Sequence, residues 1–309
     1  MSPTAPPVRG TAPAATLSLA DVSVARGAAR LLSQVSLSIA PGERVALIGP
    51  SGAGKTTLLS VLGAALRPTE GAVRVDGTDP WHLSSGALRA LRARLFLAPQ
   101  APPLPPRQRV VTAVLAGRLP SMSLGAAVAS LLRPSDPRAA HDALARFGLQ
   151  DRLWARVDRL SGGERQRVSL ARALVSQAGV FLADEPLSAL DPALARQSLD
   201  ALAQAAETRG ATLVCSLHQT GLALARFPRV VGLRDGRVLF DRPPARLHAD
   251  DIARLYAGRQ ADPAAPGAAP HDAASADARA DALDRVVRQA ATDTADAAAG
   301  APLPPTRCF

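Results

Sequence analysis

The chain has 309 residues, a formal net charge of +10 and 47% hydrophobic residues but only 3% aromatics, enough for one large domain or two ordinary ones with a core of Ala, Val and Leu. No apolar run approaches the roughly 18 residues of a membrane span, no apolar signal core follows the N-terminus, and Cys215 and Cys308 offer neither a disulfide framework nor a zinc spacing; the expectation is a soluble or peripheral, cytosolic protein. The charge is uneven, with 30 basic and 19 acidic side chains in 17–257 against 5 and 7 in 258–309, which does not choose between nucleic acid, lipid headgroups and small anions.

Residues 1–16, rich in Pro, Ala and Thr, are expected to be disordered. Short strand-like runs follow at 17–22, 35–39 and 44–48 (RVALI), then a glycine-rich loop, a helical run over 56–66, and a strand at 72–75 closed by an Asp76–Gly77 turn. Residues 84–158 read mostly as broken helix, interrupted by the proline-rich 101–107. Apolar strands then alternate with helices, at 179–184, 211–217 and 229–233, which predicts a parallel sheet covered by helices on its faces. RDGRVLF (234–240) reads as a hairpin. Cys215, inside an apolar run, is expected to be a buried small hydrophobe. Beyond Gly258 the chain turns to Ala, Asp, Pro and Thr; Leu283, Val286, Val287 and Ala290 share helical spacing, but the patch is too small to fold alone.

The loop is Gly49-Pro50-Ser51-Gly52-Ala53-Gly54-Lys55-Thr56-Thr57, which fits G-x-x-x-x-G-K-[ST] between a strand and a helix. Glycines let successive N–H groups face an anion, and the helix start adds positive potential. Lys55 is the only lysine beside 35 arginines. A compact ammonium fits a phosphate-wrapping loop where a planar guanidinium does not. Lys55 is therefore expected to reach the β- and γ-phosphates, and Thr56 to offer its hydroxyl to Mg²⁺.

Two further stretches carry chemistry. In LSGGERQRVSLARAL (160–174), Ser161-x-x-Glu164 is a capping box that starts a helix with Val168, Ala171 and Leu174 on its buried face. Capping explains Ser161 and Glu164 but not the two bare glycines, which leave N–H groups open to an anion. VFLADEP (180–186) is an apolar strand ending in two acids. Asp184 is expected to hold Mg²⁺ through water and Glu185 to act as base for the attacking water, with the two side chains on opposite faces of the strand.

Together with SALD (188–191) and LHQ (217–219), these motifs resemble the ATP-binding subunit of an ABC transporter, in the family's order over residues 17–257. The resemblance implies a P-loop NTPase (RecA-like) α/β core with an antiparallel β-subdomain and a helical subdomain inserted at about 84–160. It implies ATP and Mg²⁺ as cofactors. Ser161 and Gly163 would contact the γ-phosphate of ATP held by a second copy, and Asp191 would belong to the loop linking the two sites. His218 would grip the γ-phosphate and orient Glu185, and Gln100 would reach Mg²⁺ and the water. Where the family places an aromatic under adenine, this chain has Arg26, which either stacks on the base or is a surface arginine.

Each motif occurs once, so complete sites require two copies arranged head to tail around two ATPs. With no membrane span, the resemblance implies separate permease subunits docked near 110–134, a periplasmic solute-binding protein, and a peripheral position on the cytoplasmic face of the inner membrane. Relatives acting on nucleic acid carry paired cassettes or coiled-coil or zinc insertions; none is visible, so nucleic acid is not expected as a partner. A P-loop kinase would leave LSGGERQ and His218 unexplained. VLAGRLPSMSL, LADEP, SLHQ and DGRVLFD are similar to phosphonate-importer ATPases, since most relatives place aspartate after the histidine. The alternatives are amino-acid importers and lipoprotein or peptide exporters.

Overall fold

The structure is a computed structural model that describes residues 11–257; residues 1–10, the tail from 258 and its candidate helix at 283–290 lie outside the described residues. A three-stranded antiparallel sheet comes first. Strands β1 (Leu17–Arg26) and β2 (Ala29–Ile39) form a hairpin, and β4 (Glu70–Val75) pairs with the other edge of β1. Both hairpin strands outrun the apolar runs that predict them, because each carries a residue in left-handed backbone, Asp21 (φ 50°) and Gln34 (φ 50°), that shifts the register and hides the alternation.

The second sheet has six strands in the order β5 (Leu95–Ala98), β6 (Val180–Asp184), β7 (Thr212–Ser216), β3 (Arg44–Ile48), β8 (Arg229–Arg234) and β9 (Arg237–Arg242). The first five are parallel. β9 returns antiparallel through the Asp235–Gly236 turn, as the hairpin reading expects. β6 and β7 are buried at all five positions, which is why they read as continuous apolar runs rather than alternating ones. Alternation decides which face each side chain joins. Ala46, Ile48, Phe181, Ala183, Leu213 and Cys215 enter one core, with α3 (Val110–Leu115), α5 (Pro137–Ala145), α6 (Gly162–Val175) and α7 (Pro192–Arg209). Val45, Leu47, Val180, Leu182 and Val214 enter the other, with α1 (Lys55–Leu62) and the antiparallel sheet. Cys215 is fully buried, and burial pushes its thiol up, so it acts as a packing residue.

Two expectations are corrected. Residues 11–16 are ordered: Ala12 N–H donates to the Gln177 carbonyl, Thr16 N–H to Asp76, and Ala15 is fully buried. A proline- and alanine-rich segment lacks its own periodicity, but Gly179 leaves room for it, since a Cβ there would sit 2.2 Å from the Pro13 carbonyl oxygen. The stretch 84–158, read as mostly helix with breaks, also holds a strand that the reading did not place. After α2 (Ser85–Ala93) the chain contributes β5 to the edge of the main sheet, and the inserted helices α3, α4 (Leu124–Leu132) and α5 begin only at 110. Four residues paired along one edge are too short to show a period. Of the described residues, no helix is long and apolar enough to cross a membrane. The last two helices, α8 (Thr220–Arg226) and α9 (Ala249–Tyr256), follow β7 and the β8–β9 hairpin.

Candidate active site

Parallel strands deliver their carboxyl ends to one edge, and neighbouring strands that connect in different directions open a crevice there. In this sheet β3 ends in the glycine-rich loop, β6 in Asp184 and Glu185, β7 just before His218, and β5 just before Gln100.

The loop holds its shape through backbone. Gly49 (φ 152°) lies so near β8 that a Cβ would be 2.0 Å from the Leu233 carbonyl oxygen. Gly54 (φ 101°) caps α1 in left-handed backbone, with the Leu31 carbonyl oxygen 2.6 Å from the place of a Cβ. Ala53 N–H closes a turn onto the Pro50 carbonyl, while Ser51, Gly52 and Thr56 are exposed and Thr57 is half-buried. Lys55 is only 4% exposed. Its Nζ donates to the Gly49 carbonyl at 2.8 Å and the Pro50 carbonyl at 3.2 Å, and lies 3.9 Å from Glu185 Oε1.

Asp184 and Glu185 diverge as expected, but by a different cause. Asp184 is the last residue of β6; Glu185 has already left the strand in left-handed backbone (φ 46°). The Asp184 carboxylate accepts from Thr56 Oγ1 at 2.7 Å and from Ser216 Oγ at 2.6 Å. A hydroxyl and a carboxylate are hard oxygen donors, the kind Mg²⁺ takes alongside substrate phosphates and water, so these residues fit the expected metal. Glu185 turns the other way. Gln100 Nε2 donates to its Oε2 at 2.8 Å, and His218 Nε2 lies 2.6 Å from its Oε1. Glu185, Ser188, Ser216 and His218 also line a cavity of about 30 Å³, room for one or two waters.

Thus Lys55, Thr56, Gln100, Asp184, Glu185 and His218 converge, whereas no hydrogen bond among the described residues joins Ser161, Gly163 or Asp191 to the loop. Ser161 caps α6 in the expected box, its hydroxyl accepting from Glu164 N–H at 3.1 Å while Glu164 Oε2 accepts from Ser161 N–H at 2.8 Å. The hydrogen bond from Ser161 N–H holds the Glu164 carboxyl below its ordinary range, helped by Arg152 against the opposing effect of burial. Asp191 Oδ1 caps α7 by accepting from Ala193 and Leu194 N–H. Both caps are exposed.

The two bare glycines part company. A Cβ on Gly163 would lie 2.9 Å from the Ala189 carbonyl oxygen, so packing alone demands glycine there. On Gly162 the only neighbour is 3.9 Å away, so no clash explains it. Arg26 is exposed at the end of β1, paired through its backbone with Ala29, and its side chain makes no hydrogen bond or ion pair with the described residues.

Sequence reasoning passed over two residues. Gln166, 4% exposed on α6, donates to the Glu185 carbonyl at 2.9 Å and to Ser188 Oγ at 3.0 Å, and accepts from Ala189 N–H. It thereby binds the glycine-led helix to the acid-bearing segment. Helical spacing gives no sign of it, because polar residues are expected outward. Ser216 left a visible signal, a hydroxyl closing the apolar run ATLVCS.

The family model described as ABC transporter matches residues 32–188. The phosphonates import ATP-binding protein PhnC 2 of Albidiferax ferrireducens is 57% identical over 241 residues, covering 78% of this chain and 87% of that protein. The phosphonates import ATP-binding protein PhnC of a Polaromonas species is 58% identical over 232 residues, covering 75% and 84%. Among solved structures, the dimeric cassette MJ0796 in a post-hydrolysis state bound to ADP and Pi is similar with TM-score 0.62 and 29% identity, covering 74% of this chain and 98% of that one. With its nucleotide loop, paired acids and capped glycine helix set on this sheet, and with these relatives, the chain belongs to the ABC transporter family as an ATP-binding protein.

Proposed function

We propose that the chain is the ATP-hydrolysing subunit of a phosphonate importer, working as a two-fold pair that sandwiches two ATPs. The convergence of Lys55, Thr56, Asp184, Glu185, His218 and Gln100 at one sheet edge supports the chemistry; relatives named phosphonates import ATP-binding proteins support the cargo.

In this reading Lys55 exchanges the carbonyls of Gly49 and Pro50 for phosphate oxygens when ATP enters the loop. The N–H groups of 54–57 at the start of α1 complete the cradle. Thr56 and Asp184 would hold Mg²⁺, which would supply positive charge to offset that of the phosphates. Glu185 takes a proton from the water that attacks the γ-phosphorus; the bond to the β-phosphate oxygen breaks, leaving ADP and phosphate. His218 and Gln100 hold that carboxylate in line until the water arrives. Exposed Ser161 and Asp191, with half-buried Gly163 beside Ser161, would face the second copy, so ATP favours closure because it contacts both copies only in the closed pair. Hydrolysis removes that bridge. Separate permease subunits, contacted through the inserted helices around 110–134, and a periplasmic solute-binding protein complete the importer. The chain itself sits on the cytoplasmic face of the membrane.

Uptake of labelled 2-aminoethylphosphonate by a deletion strain, complemented with wild type or Lys55→Ala, tests this. Rescue by wild type alone is expected. Equal uptake in all strains would refute the cargo and leave the ATPase chemistry standing.

A further inference from the structure

Ser216 is fully buried at the carboxyl end of β7, paired in register with Asp184 on β6. Its one proton goes to Asp184 Oδ1 at 2.6 Å, and its oxygen accepts Glu185 N–H at 2.8 Å. That second bond matters because Glu185 lies just past the end of β6, where the chain turns off in left-handed backbone, and Ser216 gives its N–H a partner. Thr56 holds the other Asp184 oxygen at 2.7 Å, so both oxygens are fixed by hydroxyls. The Glu185 carbonyl is held in turn by Gln166 at 2.9 Å. One side chain therefore sets both the carboxylate facing the metal position and the direction in which the base leaves its strand.

We propose that Ser216 is a positioning residue for the Mg²⁺-dependent step, locking Asp184 and Glu185 into one unit. This deepens the ATPase reading above and rests on it. Outer hydrogen bonds to a metal-holding carboxylate orient it, and their loss typically lowers metal affinity or activity about 10–100-fold. The bonds of Ser216 run between neighbouring strands and do not touch the loop 49–57, so binding of the nucleotide itself should be spared.

The test measures binding of a fluorescent ATP analogue to full-length protein, in EDTA and across a Mg²⁺ titration, with ATPase kinetics alongside. Ser216→Ala is expected to bind in EDTA within about twofold of wild type, to need about tenfold more Mg²⁺ at midpoint, and to lose about 10–100-fold in kcat with KM little changed. Ser216→Thr keeps the hydroxyl and, where the added methyl is accommodated and the variant folds, should restore the midpoint to within about threefold. Should the alanine variant not fold, Ser216→Cys, a weaker donor of similar size, should shift the midpoint in the same direction by a smaller factor. An unchanged midpoint and kcat in a folded variant would overturn the proposal, as would equal losses in EDTA and in Mg²⁺. Wild type that shows no Mg²⁺ dependence would instead refute the ATPase reading beneath it.

Discussion

Gly162 and Gly163 are adjacent at the start of α6, yet their surroundings differ enough to give opposite outcomes on the same substitution. A methyl on Gly163 meets the Ala189 carbonyl oxygen at 2.9 Å and Leu190 Cδ2 at 3.0 Å. The Ala189 backbone cannot swing aside cheaply, because its N–H is bonded to Gln166. Overpacking of this kind costs about 1–3 kcal/mol. A methyl on Gly162 has its nearest neighbour at 3.9 Å, and alanine gains up to about 1 kcal/mol in helix propensity. Gly163→Ala should therefore be less stable than Gly162→Ala by roughly 2 kcal/mol, a gap of roughly 4–8 °C in Tm for a body of this size. Thermal unfolding of the two variants without nucleotide reads it directly. Equal melting temperatures would refute the close approach of α6 to the 188–191 loop. Gly162→Ala should stay folded; if this helix start meets the nucleotide of a second copy, as proposed above, the variant should still lose ATPase activity.

Glu185→Gln keeps hydrogen-bonding groups toward Gln100 and His218 but removes the base, so turnover should fall about 10²–10⁴-fold while ATP traps a dimer visible by gel filtration; turnover within threefold of wild type would mean Glu185 is not the base. Asp191→Ala should cost about 0.5–2 kcal/mol by uncapping α7, whereas Asp191→Asn should keep the cap, which urea unfolding distinguishes. Arg26→Ala should weaken ATP binding about 2–30-fold if the guanidinium stacks on adenine; unchanged affinity in a titration would leave it a surface residue. Glu164, held low chiefly by its bond from Ser161 N–H, contributes stability that is full above the ordinary carboxylate pKa and lost as pH falls through its folded value. Wild type should accordingly lose its advantage over Glu164→Gln as pH falls below the ordinary carboxylate value of about 4.3, measured as Tm against pH.

The parallel sheet was legible because β3, β6 and β7 are buried on both faces and so read as unbroken apolar runs. The loop, the capping box and the paired acids were legible because each depends on residue type at fixed spacing. What escaped depended on distant partners. β5 exists as a strand only by pairing with β6, and residues 11–16 are held by Gln177 and Asp76 in the space that Gly179 leaves. Gln166 and Ser216 carry no local period, and their importance arises from backbone that comes near them only after folding. Gly163 shows the same limit, since its need for glycine lies in Ala189, 26 positions away.

The burial of Lys55 gives the molecule an unusual analytical property. Apart from the terminal amine, the whole chain offers acylating reagents a single amine, and that amine sits among the carbonyls of Gly49 and Pro50. Once the terminal amine is accounted for, added mass at an amine therefore reports on one loop, with no other lysine to subtract. A protease that cuts only after lysine would likewise make one cut, between Lys55 and Thr56. Its rate would follow opening of the first turn of α1, so occupancy of the loop is written into the cleavage kinetics without any label.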